Sequence, residues 1–101
     1  MAINLKAITS CIGYEQITSL STATALNAPS TDANGLNCRP SFALISCEGA
    51  AVRWRDDGVA PTTSVGMPLA AGVTLQYDGD ISRVQFIQQA PGAKLNISYY
   101  A

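Results

Sequence analysis

Short runs in which apolar and polar residues alternate, interrupted by glycine, proline, asparagine and aspartate, dominate this chain. A period of two is the mark of strands with one face buried. Ile3, Leu5 and Ala7 alternate with Asn4 and Lys6, so the stretch from Ala2 to Thr9 forms a first predicted strand. Gln16 to Leu26 is rich in Ser, Thr and Ala; Thr18, Thr22 and Thr24 favour extended structure, whereas the small residues also permit a helical turn. The run from Asn27 to Asn37 contains Pro29, Asp32, Asn34 and Gly35, which predicts a long surface loop. Loops of that length in small domains are often contact loops.

After Pro40 the strand signals strengthen. Phe42 to Cys47 is apolar and is separated by Glu48-Gly49 from a strand at Ala51 to Arg55, a connection short enough to predict an antiparallel hairpin. In the second of these strands Val52 and Trp54 alternate with Arg53 and Arg55, which puts the apolar side chains on one face and the guanidinium groups on the other. Asp56, Asp57 and Gly58 then supply turn chemistry, and Pro61, Gly66 and Pro68 keep the next segment out of any helix or central strand. Leu69 to Leu75 turns at Ala71-Gly72 and continues the alternation to Tyr77. Asp78-Gly79 carries a two-residue hairpin signal leading into a strand at Ile81 to Ile87. Pro91-Gly92 predicts a last reversal, followed by a strand in which Leu95, Ile97 and Tyr99 face one way and Asn96, Ser98 and Tyr100 the other.

About eight short strands without an amphipathic helix predict an all-β fold, a small antiparallel β-sandwich or barrel, with the jelly roll among its forms. At 101 residues the chain makes a single β-sandwich domain with one modest core. That core is drawn from Phe42, Leu44, Val52, Trp54, Leu69, Leu75, Val84, Phe86, Leu95, Ile97 and Tyr99, with the choice of face open where both parities are apolar, as at Ala43 and Ile45.

Composition changes this picture in one respect. The chain is 48% hydrophobic and only 13% charged, well below the quarter or so usual in soluble domains. A surface so thinly charged is expected to be covered in part by other subunits, and unpaired strand edges with few charges to guard them point the same way. With six basic and seven acidic residues the net charge is -1, which gives no electrostatic case for nucleic acid or an anionic membrane as partner. The opening residues lack the apolar run and basic leader of a secretory signal, so synthesis in the cytoplasm is expected.

Candidate chemistry is sparse. The chain has no histidine, the commonest general base, and no nucleophile motif such as G-x-S-x-G, so no enzymatic activity is expected. Cys11, Cys38 and Cys47 match no zinc or redox spacing and read as small buried hydrophobes. Asp78-Gly79-Asp80 lacks the spaced oxygen ligands of a calcium loop and reads as a turn, so neither a metal nor a cofactor is expected. Asn96-Ile97-Ser98 fits the glycosylation sequon by chance. Adjacent Asp56 and Asp57 point in different directions and read as turn residues rather than paired acids.

The residues with an interaction signal are Arg53, Arg55, Asp56, Asp57 and Tyr100. Two arginines two positions apart share a strand face, where they either clasp carboxylates of a neighbouring subunit or pair internally with Asp56, Asp57 or Glu48. Tyr99 and Tyr100 lie on opposite faces of the last strand, Tyr99 as a core-edge ring and Tyr100 as an interface anchor.

The block VRWRDDGVAPTTSVGMPL (Val52 to Leu69) is the most distinctive in the chain. Together with FALISCEGAAV before it, GVTLQYDGDISRVQFI after it and the closing AKLNISYY, it resembles small proteins encoded among the virion structural genes of tailed bacteriophages. The resemblance implies a non-enzymatic virion protein that is made in the bacterial host cytoplasm and acts in the particle. Its implied partners are further copies of itself, in a symmetric homo-oligomer such as a trimer, and other virion proteins such as the major capsid protein. Head decoration or cementing leads; joining at the neck or tail is the other placement. A different class, a receptor- or carbohydrate-binding β-sandwich of the phage tail, would use exposed rings beside acidic loops, with Trp54, Tyr77 and Tyr100 as candidates.

Overall fold

A computed structural model describes residues 10–31 and 34–101. Eight strands are present among them: β1 (Cys11–Ile17), β2 (Thr24–Ala25), β3 (Phe42–Glu48), β4 (Val52–Arg55), β5 (Met67–Leu69), β6 (Thr74–Tyr77), β7 (Gln85–Gln88) and β8 (Lys94–Tyr100). No helix occurs among the described residues. The first predicted strand, Ala2 to Thr9, lies outside the described residues. The ambiguous segment from Gln16 to Leu26 is extended, holding the end of β1 and the two-residue β2.

The strands form two four-stranded antiparallel sheets, β1-β8-β3-β6 and β2-β7-β4-β5. This order is that of a jelly roll. Strands β1·β8, β2·β7, β3·β6 and β4·β5 are the successive rungs of one long antiparallel ribbon whose tip is the β4–β5 loop. Rolling the ribbon adds the pairings β3·β8 and β4·β7, and two sheets result. Every connection between consecutive strands except β4–β5 therefore crosses from one sheet to the other.

Three expected hairpins are corrected by that topology. Glu48-Gly49 does not join neighbouring strands: β3 and β4 belong to different sheets, and the chain arches between them. Gly49 sits at φ 84° against the carbonyl of Gly92 in the β7–β8 arch, and a side-chain carbon there would collide with that backbone. Asp78-Gly79 likewise spans from β6 to β7 across the sandwich. A type I′ hairpin needs positive φ at both central residues, and neither has it. Gly79 is required instead because the Tyr77 ring folds over it, leaving no room for a side chain. The strand expected from Ile81 begins only at Gln85, because Asp80 Oδ1 accepts from the Ser82 amide (3.0 Å) and hydroxyl (2.5 Å) and holds the intervening residues in a turn. Pro91-Gly92 also crosses between sheets, from β7 to β8.

The core fills the space between the sheets. Val52, Leu69, Val84, Phe86, Leu95, Ile97 and Tyr99 are buried in it, and Trp54 and Leu75 pack against it half-buried. Phe42 and Leu44 do not belong there. On β3 the inward residues are Ala43, Ile45 and Cys47, which lie in register with Tyr99, Ile97 and Leu95 of β8. Ala43 is flanked by Tyr77 and Tyr99, and the two large rings fill the volume that a larger side chain at 43 would need. Leu20, Tyr77, Ile81 and Ala93 complete the core, and no polar or charged residue is buried among the described residues.

Candidate interaction corner

The tip of the ribbon carries the distinctive motif. Inward Val52 and Trp54 anchor β4: the Trp54 ring meets Tyr77 edge-on at 5.8 Å and Phe86 at 6.5 Å. Arg53 and Arg55 consequently face out, as the alternation requires. Arg55 grips Asp57 through a two-pronged contact, Nε to Oδ1 at 3.1 Å and Nη2 to Oδ2 at 2.5 Å. Asp57 Oδ1 also accepts from the Val59 amide at 3.3 Å. The Arg55 hydrogen bonds hold the Asp57 carboxyl down at about 2.

Arg53 reaches along the sheet. Its Nη1 donates to the Gly66 carbonyl at 2.8 Å, and with the Gln89 amide turned so that its oxygen faces the guanidinium, that oxygen accepts from Nε at 2.8 Å and Nη2 at 3.2 Å. Both guanidinium groups therefore have partners inside the chain. Asp56 Oδ2 accepts from the Tyr77 hydroxyl at 2.7 Å, and burial followed by that carboxylate raises the Tyr77 pKa. Thr62 closes the loop, its Oγ1 accepting from the Val65 amide at 3.0 Å, while Pro61 is buried beneath.

With Arg55 and Asp57 ion-paired and Arg53 and Asp56 hydrogen-bonded, the corner presents apolar side chains: Val59, Val65 and Met67 are 51%, 50% and 56% exposed. Arg55, Asp56, Asp57, Val65, Gly66 and Met67 line a shallow depression of about 410 Å³. Tyr100 is not part of this corner. It lies on the outer face of the other sheet, with its ring 5.7 Å from that of Phe42.

That outer face holds a network the sequence did not announce. Asn96 Oδ1 accepts from the Tyr14 hydroxyl and Gln16 Nε2, both at 2.8 Å, and its Nδ2 donates to Glu48 Oε1 at 2.8 Å. One asparagine thus ties β1, β8 and β3 together. On the inner side, Glu15 Oε2 accepts from the Tyr99 hydroxyl and, at 2.8 Å, from the Asn27 amide. Burial, then this carboxylate, raises the Tyr99 pKa.

The thiols differ from expectation. Cys47 is buried and its pKa is raised by desolvation, but Cys38 is half-buried and Cys11 is exposed beside a register shift in β1. Among the described residues no three acidic or thiol side chains converge where they could hold a metal ion. Nor is any helix among them long and apolar enough to cross a membrane. No known protein family, curated protein or solved structure matches this chain.

Proposed function

We propose that this chain is a structural, non-enzymatic virion protein of a tailed bacteriophage, binding capsid or neck and tail proteins to stabilise or join the particle, with head decoration as the leading role. One observation carries the reading beyond the sequence resemblance. The motif that most resembles the phage proteins is built as a corner whose four charged side chains are all hydrogen-bonded within the chain, not as a cleft with free reactive groups. Such a corner offers Val59, Val65 and Met67 to a partner while Arg55 and Asp57 keep their hydrogen bonds. The desolvation cost of docking is thereby kept low.

Stabilisation follows by linkage. A module that binds only the assembled shell shifts the equilibrium away from disruption, and repetition over many sites turns modest contacts into avidity. The tail-module alternative is less well supported, because Trp54 and Tyr77 are packed against each other and Tyr77 is buried, leaving neither free as a sugar platform. The purified protein should add to phage particles lacking it and raise their resistance to heat and osmotic shock. Met67→Asp should weaken that addition. Failure to bind any particle, or tight binding to a glycan array, would overturn the proposal.

A further inference from the structure

The four sheet edges are not alike. Strand β2 has two residues, β5 has three with Pro68 at its centre, and β6 has four. Short length, proline and bulges are among the means by which natural sheets blunt an edge, and the register shift of β1 is confined to its start, between Cys11 and Gly13, leaving Gly13–Ile17 regular. Strand β1 has seven residues, CIGYEQI, with no proline and no lysine. Among the described residues it is paired on one side only, with β8. Its single charged residue, Glu15, pairs in register with inward Ile97 and is engaged by Tyr99 and Asn27, so no charge guards the outer face of this edge.

The hydrogen-bond phase of that edge can be read. Ser10 and Ala101 exchange reciprocal backbone hydrogen bonds of 3.0 Å, so odd-numbered residues of β8 point their backbone groups at β1. By alternation Gly13, Glu15 and Ile17 bond β8, and Tyr14 and Gln16 turn their N–H and C=O groups to the open side.

We infer that β1 is the pairing edge for a second copy of this chain: two β1 strands align antiparallel about a two-fold axis at Tyr14, fusing two four-stranded sheets into one of eight. An antiparallel pair centred on Tyr14 sets Tyr14 against its own copy and brings Gly13 opposite Glu15, within the regular stretch of β1. The hydrogen-bonding groups of Tyr14 then meet in the phase that a ladder requires. Both partners use the same patch, as a closed two-fold interface demands. Tyr14, 63% exposed on a face with few charges, stands at the centre of the seam. The inference does not depend on the virion reading.

Analytical ultracentrifugation of the full chain should find a concentration-dependent dimer, with amide exchange at Tyr14 and Gln16 slowing as the dimer forms. Gln16→Pro removes an open-side N–H without touching the β8 ladder, and Tyr14→Lys sets like charges face to face across the axis. Each should weaken association about tenfold or more while leaving the β-sheet circular dichroism intact. Gln16→Ala, which removes the side-chain bond to Asn96 but keeps the amide, should still dimerise. A chain that stays monomeric at its highest soluble concentration overturns the inference, as does a trimer indifferent to both variants. So does a dimer lost on deletion of residues 1–9 but untouched by the β1 variants, which would assign the contact to that segment. None of these results bears on binding to particles.

Discussion

The Tyr77 hydroxyl, at the end of β6, donates to the Asp56 carboxylate at 2.7 Å, fastening the loop that leaves one sheet to the edge strand of the other. The contact belongs half to the core and half to the corner. Tyr77→Phe keeps the ring against Trp54 and deletes only this bond. It should lower stability by about 1–1.5 kcal/mol, read as a shift in the urea midpoint at unchanged slope. The particle binding proposed for this corner should weaken as well, because Asp56 loses its tether.

Gly49 and Gly92 place two arches in contact at one end of the sandwich. Gly49→Ala adds a carbon where the Gly92 carbonyl stands and forces a positive φ on an L residue. A loss of about 2–3 kcal/mol is expected by thermal or chemical denaturation, large for a surface turn.

The inward parity of β3 is tested by two neighbours. Ile45→Ala opens a cavity between Ile97 and Leu75 and should cost about 2–5 kcal/mol. Leu44→Ala, on the outer face, should cost about 1 kcal/mol or less. Equal losses at the two positions would contradict the register.

Asp57 links stability to acid. Its folded pKa, held near 2 by Arg55, lies below the ordinary carboxylate value, so the stability it contributes is present above about pH 4 and lost as pH falls through 2. Asp57→Asn should flatten that part of the profile, visible in urea midpoints measured from pH 5 to pH 2. Asp80, lowered by its Ser82 bonds, contributes the same sign and remains in the variant.

At the alkaline end Tyr77 and Tyr99 act in the opposite sense. Both folded pKa values are raised, by burial and then by a carboxylate partner, so the folded state keeps protons that the unfolded chain gives up near pH 10. Stability should therefore fall as pH rises beyond 10. Phenolate absorbance of the native protein should lag that of the denatured chain, and Tyr99→Phe should shrink the lag.

Much of the fold was legible because alternation is a local property. The inward set Leu95, Ile97 and Tyr99 was readable since only one parity of β8 is apolar. On β3 both parities are apolar, and what decides the face is the register with β8 and β6, a relation between distant residues. The hairpin signals at Glu48-Gly49 and Asp78-Gly79 misled for a related reason. Glycine marks a need for space or for positive φ, and here the need comes from Gly92 and from the Tyr77 ring, not from a two-residue turn. Of the candidate residues, Arg53, Arg55, Asp56 and Asp57 do share one corner, as adjacency in sequence ensures. Tyr100 lies on the other sheet. The Asn96 network gave no signal, because it joins three strands that only the rolled topology makes neighbours.

A ribbon rolled from its tip has a consequence for how the chain reaches its native state. Among the described strands, β4 and β5 alone are consecutive in the chain and adjacent in a sheet, so this pair closes the smallest loop and carries the lowest entropy cost of nucleation. The β1–β8 rung, whose closure spans nearly the whole chain, should zip last. Refolding on the millisecond-to-second scale follows for so non-local a topology. Substitutions in the RWRDDG turn should slow refolding more than they hasten unfolding, so the tip of the ribbon also sets the pace at which the molecule is made.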